Sequence, residues 1–146
     1  MTEAPAPVQR LTADNVAAWY QQDDVEMVVG DALDPSSSTP LVIGFARYRK
    51  GATNQITTLP YDEALIITRG AFTVRRADGV ATATAGEVIF HRAGATVVYQ
   101  ADQDAEMIYV CYPALALQDA TTEAGGGFHP AADGLAARLA SREEAS

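Results

Sequence analysis

Two stretches decide the fold: Tyr61-Asp62-Glu63-Ala64-Leu65-Ile66-Ile67-Thr68-Arg69-Gly70, and Gly86-Glu87-Val88-Ile89-Phe90-His91-Arg92-Ala93-Gly94. Each is a short run rich in apolar and β-branched residues that ends in a glycine turn, which is the texture of a strand rather than of a helix. Outward from them the same texture repeats. Further β-rich segments run from Leu41 to Arg49, Ala71 to Arg75, Thr96 to Gln100 and Glu106 to Tyr112. They are separated by Lys50-Gly51, Arg69-Gly70, Ala77-Asp78-Gly79, Ala85-Gly86, Ala93-Gly94 and Asp102-Gln103-Asp104. Turns at intervals of about ten residues, with no long helix between strands, predict an all-β antiparallel barrel or sandwich and exclude a βαβ fold. Asp78-Gly79 is a hairpin signal.

Flanking this region, Leu11 to Gln22 reads as a short amphipathic helix with Thr12 as its cap, and Val25 to Val29 reads as a strand. After Pro113 the composition turns to alanine and to Gly125-Gly126-Gly127, a flexible joint, and Ala131 to Glu144 reads either as a final helix or as a mobile tail. The expected organisation is an N-terminal arm over 1–24, a barrel over 25–114, and a linker with a helical tail over 115–146.

The 146 residues are room for one core, and 48% hydrophobic with 20% charged residues is an ordinary globular composition. A formal charge of -9, from 19 acidic and 10 basic side chains, repels phosphate backbones and anionic lipid, so neither nucleic acid nor a membrane is an expected partner. No window approaches the roughly 20 apolar residues of a membrane helix. Met1 to Pro7 carries acid where a signal peptide carries base, and the single cysteine, Cys111, has no disulfide partner in the chain, so a cytoplasmic location is expected.

Glu63 followed after six residues by Gly70, and Gly86 followed by five residues, Arg92, Ala93 and Gly94, resemble the two signature segments of the cupin barrel. The stretches Gly44-Phe45-Ala46-Arg47-Tyr48, Thr58-Leu59-Pro60-Tyr61-Asp62-Glu63, Gly86 to Phe90 and Tyr109-Val110-Cys111-Tyr112-Pro113 are similar to the cupin domain of the ethanolamine-utilisation EutQ family, over roughly residues 25 to 114. The resemblance implies a cupin barrel, a double-stranded β-helix of jelly-roll kind, and a homodimer. It also locates a departure. Where a metal-binding cupin carries three histidines, this chain has Thr57, Leu59 and Val97, and its only histidines are His91 and His129. Leucine and valine have no lone pair to give, so no metal and no other cofactor is expected. Arg92 replaces the motif proline, and His91 stands where an aliphatic residue is usual.

Strand alternation puts Tyr61, Glu63, Leu65 and Ile67 on one face, and the resemblance points that face inward. A carboxylate inside an apolar barrel must be hydrogen-bonded, paired or protonated. Glu63 is therefore either an acid-base group or the anchor of a turn, bonded to Tyr61 and an arginine. Tyr61 and His91 are the other candidate catalytic residues, with Tyr61 equally suited to packing and His91 alternating with Phe90. Arg47 and Phe45 share a strand face, from which Arg47 would either clamp an anionic ligand or pair with Glu63. Thr57, Tyr99 and Tyr109 complete the expected ligand contacts, and of Tyr109 and Tyr112 only one can point inward. Cys111 reads as packing and His129 as a loop residue.

Two function classes follow. One is a metal-independent enzyme of isomerase, cyclase or lyase type acting on a small polar metabolite. The other is a non-catalytic ligand-binding or assembly module of ethanolamine metabolism. The resemblance also carries acetate kinase activity, which one lysine, Lys50, and the lack of a nucleotide loop disfavour.

Overall fold

The computed structural model describes residues 7–34, 40–113 and 127–140. In chain order the strands are β1 (Tyr20–Gln22), β2 (Met27–Leu33), β3 (Val42–Tyr48), β4 (Thr53–Ile56), β5 (Asp62–Arg69), β6 (Ala71–Arg76), β7 (Gly79–Thr84), β8 (Val88–His91), β9 (Val97–Ala101), β10 (Ala105–Tyr112) and β11 (Phe128–Pro130). One helix, α1 (Leu135–Leu139), follows them. The strands form a seven-stranded sheet in the order β11-β1-β2-β3-β10-β5-β8 and a four-stranded sheet in the order β4-β9-β6-β7, with antiparallel pairing. The expected all-β architecture is the one observed.

Period-two alternation builds the core between the sheets. On β3, Val42, Gly44, Ala46 and Tyr48 are buried while Ile43, Phe45 and Arg47 are half-exposed. On β5, Glu63, Leu65 and Ile67 face in, and on β10, Met107, Tyr109 and Cys111 do so. The smaller sheet answers with Phe72, Val74, Val97 and Tyr99. Each layer presents one apolar face to the other, which is how a sheet pair removes its hydrocarbon from water.

Gly70 shows why a glycine closes the first signature segment. It turns β5 into β6 at a φ of +79°, and a methyl group built on it would sit 2.0 Å from the carbonyl oxygen of Asp104. Only a residue without a Cβ satisfies both conditions. The β6–β7 hairpin forms at the expected place, with Arg76 paired to Gly79 across the two-residue loop Ala77-Asp78.

The flanks differ from expectation. Leu11 to Gln22 is not a helix. Thr12 caps a single 3-10 turn over Ala13–Asn15, its hydroxyl accepting from the Asp14 amide at 3.2 Å. The chain then extends as β1, because the ladders to β2 and β11 give its backbone better partners than a short isolated helix could. β11 contains His129, placed by the sequence in a loop. The tail helix is shorter than Ala131 to Glu144 and spans Leu135–Leu139, where Leu135 and Leu139 bury against Val28 with Trp19 alongside; residues 141–146 and the first two glycines of Gly125-Gly126-Gly127 lie outside the described residues. Thus both segments flanking 25–114 add strands to the edge of the larger sheet. Among the described residues no helix is long and apolar enough to cross a membrane.

His129 ties β11 to the turn before β2. Its Nε2 lies 2.7 Å from the Asp23 carbonyl oxygen and its Nδ1 2.8 Å from that of Pro130. Two carbonyl acceptors favour a doubly protonated ring, and they raise its pKa above 6.5. The sign follows. Below about 6.5 both folded and unfolded forms are charged and the bonds stabilise fully; as pH rises through the elevated folded value the contribution fades. Ring-proton NMR of the folded chain should therefore show His129 titrating above the ordinary histidine value, with His129→Gln removing that transition. A midpoint at or below 6.5 would contradict it.

Candidate functional site

The sheets enclose a cavity of about 60 Å³ whose walls include Met27, Ile56, Leu59, Leu65, Phe72 and Met107. Among the described residues one ionisable carboxyl lines it, that of Glu63, which is 6% exposed. Three neighbouring strands of the larger sheet set its surroundings. Glu63 on β5 is paired in register with His91 on β8 and with Cys111 on β10, so three side chains emerge side by side on the inner face. Tyr99 reaches across from β9 in the opposite sheet. Its hydroxyl donates to Glu63 Oε1 at 2.7 Å, and His91 Nε2 lies 3.0 Å from the same oxygen. Among the described residues Oε2 has only the Cys111 thiol, with Sγ at 3.5 Å. Among the described residues His91 Nδ1 is buried with no hydrogen-bond partner.

A second polar chain runs beside the first. Tyr48 donates to Asn54 Oδ1 at 2.7 Å, and Asn54 Nδ2 donates to Gln22 Oε1 at 2.9 Å. On the other flank Tyr109 donates to Asp31 Oδ1 at 2.7 Å. Burial is the main force on all the acidic hydroxyls here. It pushes Tyr48, Tyr61, Tyr99 and Tyr109 above the phenol range, and the Glu63 or Asp31 carboxylate nearby adds to the shift. The Cys111 thiol is raised for the same reasons, burial first and Glu63 second. These groups therefore stay protonated and act as donors; Cys111 is no thiolate nucleophile.

Of the residues singled out from the sequence, Glu63, Tyr61, Tyr99 and Tyr109 line the cavity, and His91 joins them through Glu63. His91 is 7% exposed against 57% for Phe90, and Tyr109 5% against 54% for Tyr112, which resolves both alternations. Arg47 and Phe45 are corrections. The inward phase of β3 belongs to Gly44 and Ala46, because the Tyr109 ring occupies the space in which a Gly44 side chain would lie, its atoms 2.1 to 2.5 Å from an ideal Cβ. Arg47 consequently turns outward, 4.8 Å over the Trp19 ring, donating to the Ala136 carbonyl at 2.8 Å and pairing with Glu106 at 3.7 Å. It neither clamps a ligand in the cavity nor pairs with Glu63. Thr57 is also a correction: it is exposed beyond the end of β4, and its carbonyl accepts from the Thr96 hydroxyl. Asn54, Tyr48 and Asp31 went unnoticed in the sequence. The alternation of Asn54 with Ile56 is the one signal that could have found the first.

The cupin fold raises the question of a metal, and the donor set answers it. Thr57 faces away, while Leu59 and Val97 are buried hydrocarbon at 2% and 0% exposure. Among the described residues no three His, Cys, Asp or Glu side chains gather into a metal-binding group. The residues at these positions do not fit a metal.

Two antiparallel sheets closed over a buried glutamate make this a protein of the cupin class. More narrowly, residues 17–117 match the family described as "Ethanolamine utilisation protein EutQ", and the chain belongs to that family. Two solved EutQ structures are similar to it. The ethanolamine utilization protein Q of Salmonella typhimurium LT2 is 25% identical with a TM-score of 0.56, over 61% of this chain and 71% of that one. The EutQ protein of Clostridium difficile is 27% identical with a TM-score of 0.54, over 60% of this chain and 63% of that one. Ectoine synthase from P. lautus superposes with a TM-score of 0.65 over 86% of this chain and 91% of its own, but at 14% identity it shares the fold alone. No curated protein sequence matches the chain.

Proposed function

We propose that the barrel binds a small polar metabolite and moves a proton on it without a metal, in the manner of an isomerase, cyclase or lyase. The observation that carries this reading is Glu63, a carboxylate lining an apolar cavity with Tyr99 and His91 both on one of its oxygens. Two partners on Oε1 fix the orientation of the group and leave Oε2, with only a weak thiol donor, as the oxygen that can take a proton from a ligand. Tyr61, held protonated by burial, is the complementary donor to an oxygen on which negative charge develops. His91 positions the carboxylate. Phosphoryl transfer has no support in this cavity, since no lysine or arginine among the described residues lines it to neutralise phosphate. Screening small polar molecules by thermal shift, followed by turnover measurements on hits, tests the reading. Glu63→Gln should keep the fold and lose at least about a hundredfold in turnover, the usual share of a general base. Turnover equal to wild type would remove Glu63 from the chemistry.

A second reading, an assembly module that also pairs with itself, is favoured by a different observation. Val80, Val88 and Phe90 on β7 and β8 are 63%, 57% and 57% exposed, and these are the edge strands of the two sheets. Apolar side chains on open edges favour association. Light scattering should return twice the chain mass of 15.4 kDa, and Val80→Ser with Phe90→Ser should return the single mass. A wild-type monomer at micromolar concentration would rule the homodimer out.

A further inference from the structure

The cavity has a charge character that the reading above does not use. Six aromatic rings line it, those of Tyr48, Tyr61, Phe72, Tyr99, Tyr109 and Phe128, together with the Glu63 carboxyl. The faces of such rings carry negative potential, and the effect on a cation grows when water is excluded. No lysine or arginine among the described residues stands in the lining to offset it. Arg47, the cation the sequence suggested for this role, is outside, committed to Trp19 and Glu106. Arg76 is held by a bidentate contact with Asp78, both bonds 2.8 Å, in a separate groove. His91, the basic side chain nearest the cavity, is already engaged with Glu63 at 3.0 Å.

Glu63 also has an incomplete donor shell. Oε1 faces the Tyr99 hydroxyl and His91 Nε2, whereas among the described residues Oε2 has only the thiol of Cys111, at 3.5 Å. A buried carboxylate oxygen gains most from a charged N–H donor. Size is the remaining constraint. One enclosed water needs roughly 10–15 Å³ on this measure, so a cavity of about 60 Å³ takes a compact molecule of a few heavy atoms.

We propose that the barrel selects a small organic ammonium ion over neutral and anionic molecules of the same size, with the ammonium group donating to Glu63 Oε2 inside the ring of aromatic side chains. The inference rests on the reading that the barrel holds a small polar molecule, and adds to it the charge of that molecule.

Three probes that share a propyl-sized body and differ in charge test it: propylammonium, propan-1-ol and propanoate, titrated into the isotope-labelled full chain and followed by amide NMR. The expected result is saturating shifts on β5, β9 and β10 with propylammonium, at a dissociation constant at least about tenfold below that of propan-1-ol, and no saturation with propanoate. Glu63→Gln should bring propylammonium to the level of propan-1-ol. Should that variant fail to fold, the ordering of the three probes on the wild-type chain decides alone. Propanoate or propan-1-ol binding as tightly as propylammonium would overturn the ammonium assignment and leave the small-molecule reading standing. Cavity resonances unmoved by all three would overturn both.

Discussion

Glu63→Ala should lower the unfolding free energy by about 3–5 kcal/mol, the range for removing one partner from a buried polar group that others depend on. The truncation leaves the Tyr99 hydroxyl and His91 Nε2 without their shared acceptor, both on residues that are 7% exposed. It also enlarges a cavity that is already present. For a chain of this length each kcal/mol corresponds to roughly 3 °C, so the melting temperature should fall by about 10–15 °C. Glu63→Gln keeps a carbonyl oxygen for Tyr99 and should cost less than half as much. Adding Tyr99→Phe to Glu63→Ala removes one orphaned donor and should recover about 1 kcal/mol, a coupling that a double-mutant cycle isolates. A Glu63→Ala melting curve within 1 kcal/mol of wild type would mean that the carboxylate does not organise the interior.

Gly70→Ala should be nearly as damaging, although it adds a single methyl group at a residue remote from Glu63. Two terms combine. The left-handed backbone at a φ of +79° costs an L-residue about 1–2 kcal/mol, and the methyl must displace the Asp104 carbonyl oxygen, 2.0 Å away, and the Ala105 Cα, 3.0 Å away. These are backbone atoms at the start of β10 and have no rotamer to escape into, so an overpacking cost of about 1–3 kcal/mol is added. Asp104 cannot move freely either, since its carboxylate accepts the Lys50 amide at 2.8 Å. Gly86→Ala is the internal control. Gly86 has the same kind of backbone, at a φ of +89°, with nothing within 4 Å of an added Cβ. It should therefore show the conformational term by itself, about 1–2 kcal/mol, in chemical unfolding. Equal losses for the two alanine variants would show that the Asp104 contact gives way without cost.

The glycine comparison also explains why the two signature segments were readable without coordinates. The requirement at Gly70 is met by one residue type, so it shows as a letter in the chain. The same holds for the turn spacing, which foretold two antiparallel layers, and for the face shared by Glu63, Leu65 and Ile67. Local backbone geometry and a period of two were enough there.

Other features depended on contacts between distant parts of the chain. Alternation states which residues share a face but leaves the choice of inner face to hydrophobic contrast. On β3 that contrast is absent, because the outward Ile43 and Phe45 are more apolar than the inward Gly44 and Ala46, and the Tyr109 ring filling the space above Gly44 decides the phase. Arg47 was thereby sent outward against expectation. Leu11 to Gln22 had a helical pattern, yet β2 and β11 drew its end into a sheet across a hundred residues of chain. Composition and spacing by themselves determined the all-β fold, the face that Glu63 shares with Leu65 and Ile67, and the lack of three histidines, since each follows from side-chain chemistry or from neighbours along the chain; that this face points inward was implied by the resemblance to the cupin barrel. Only the tertiary structure decided that His91 and Tyr99 meet on one oxygen of Glu63 and that no arginine among the described residues lines the cavity. Those pairings join strands 28 and 36 residues apart, and their register is set by the packing of the whole barrel.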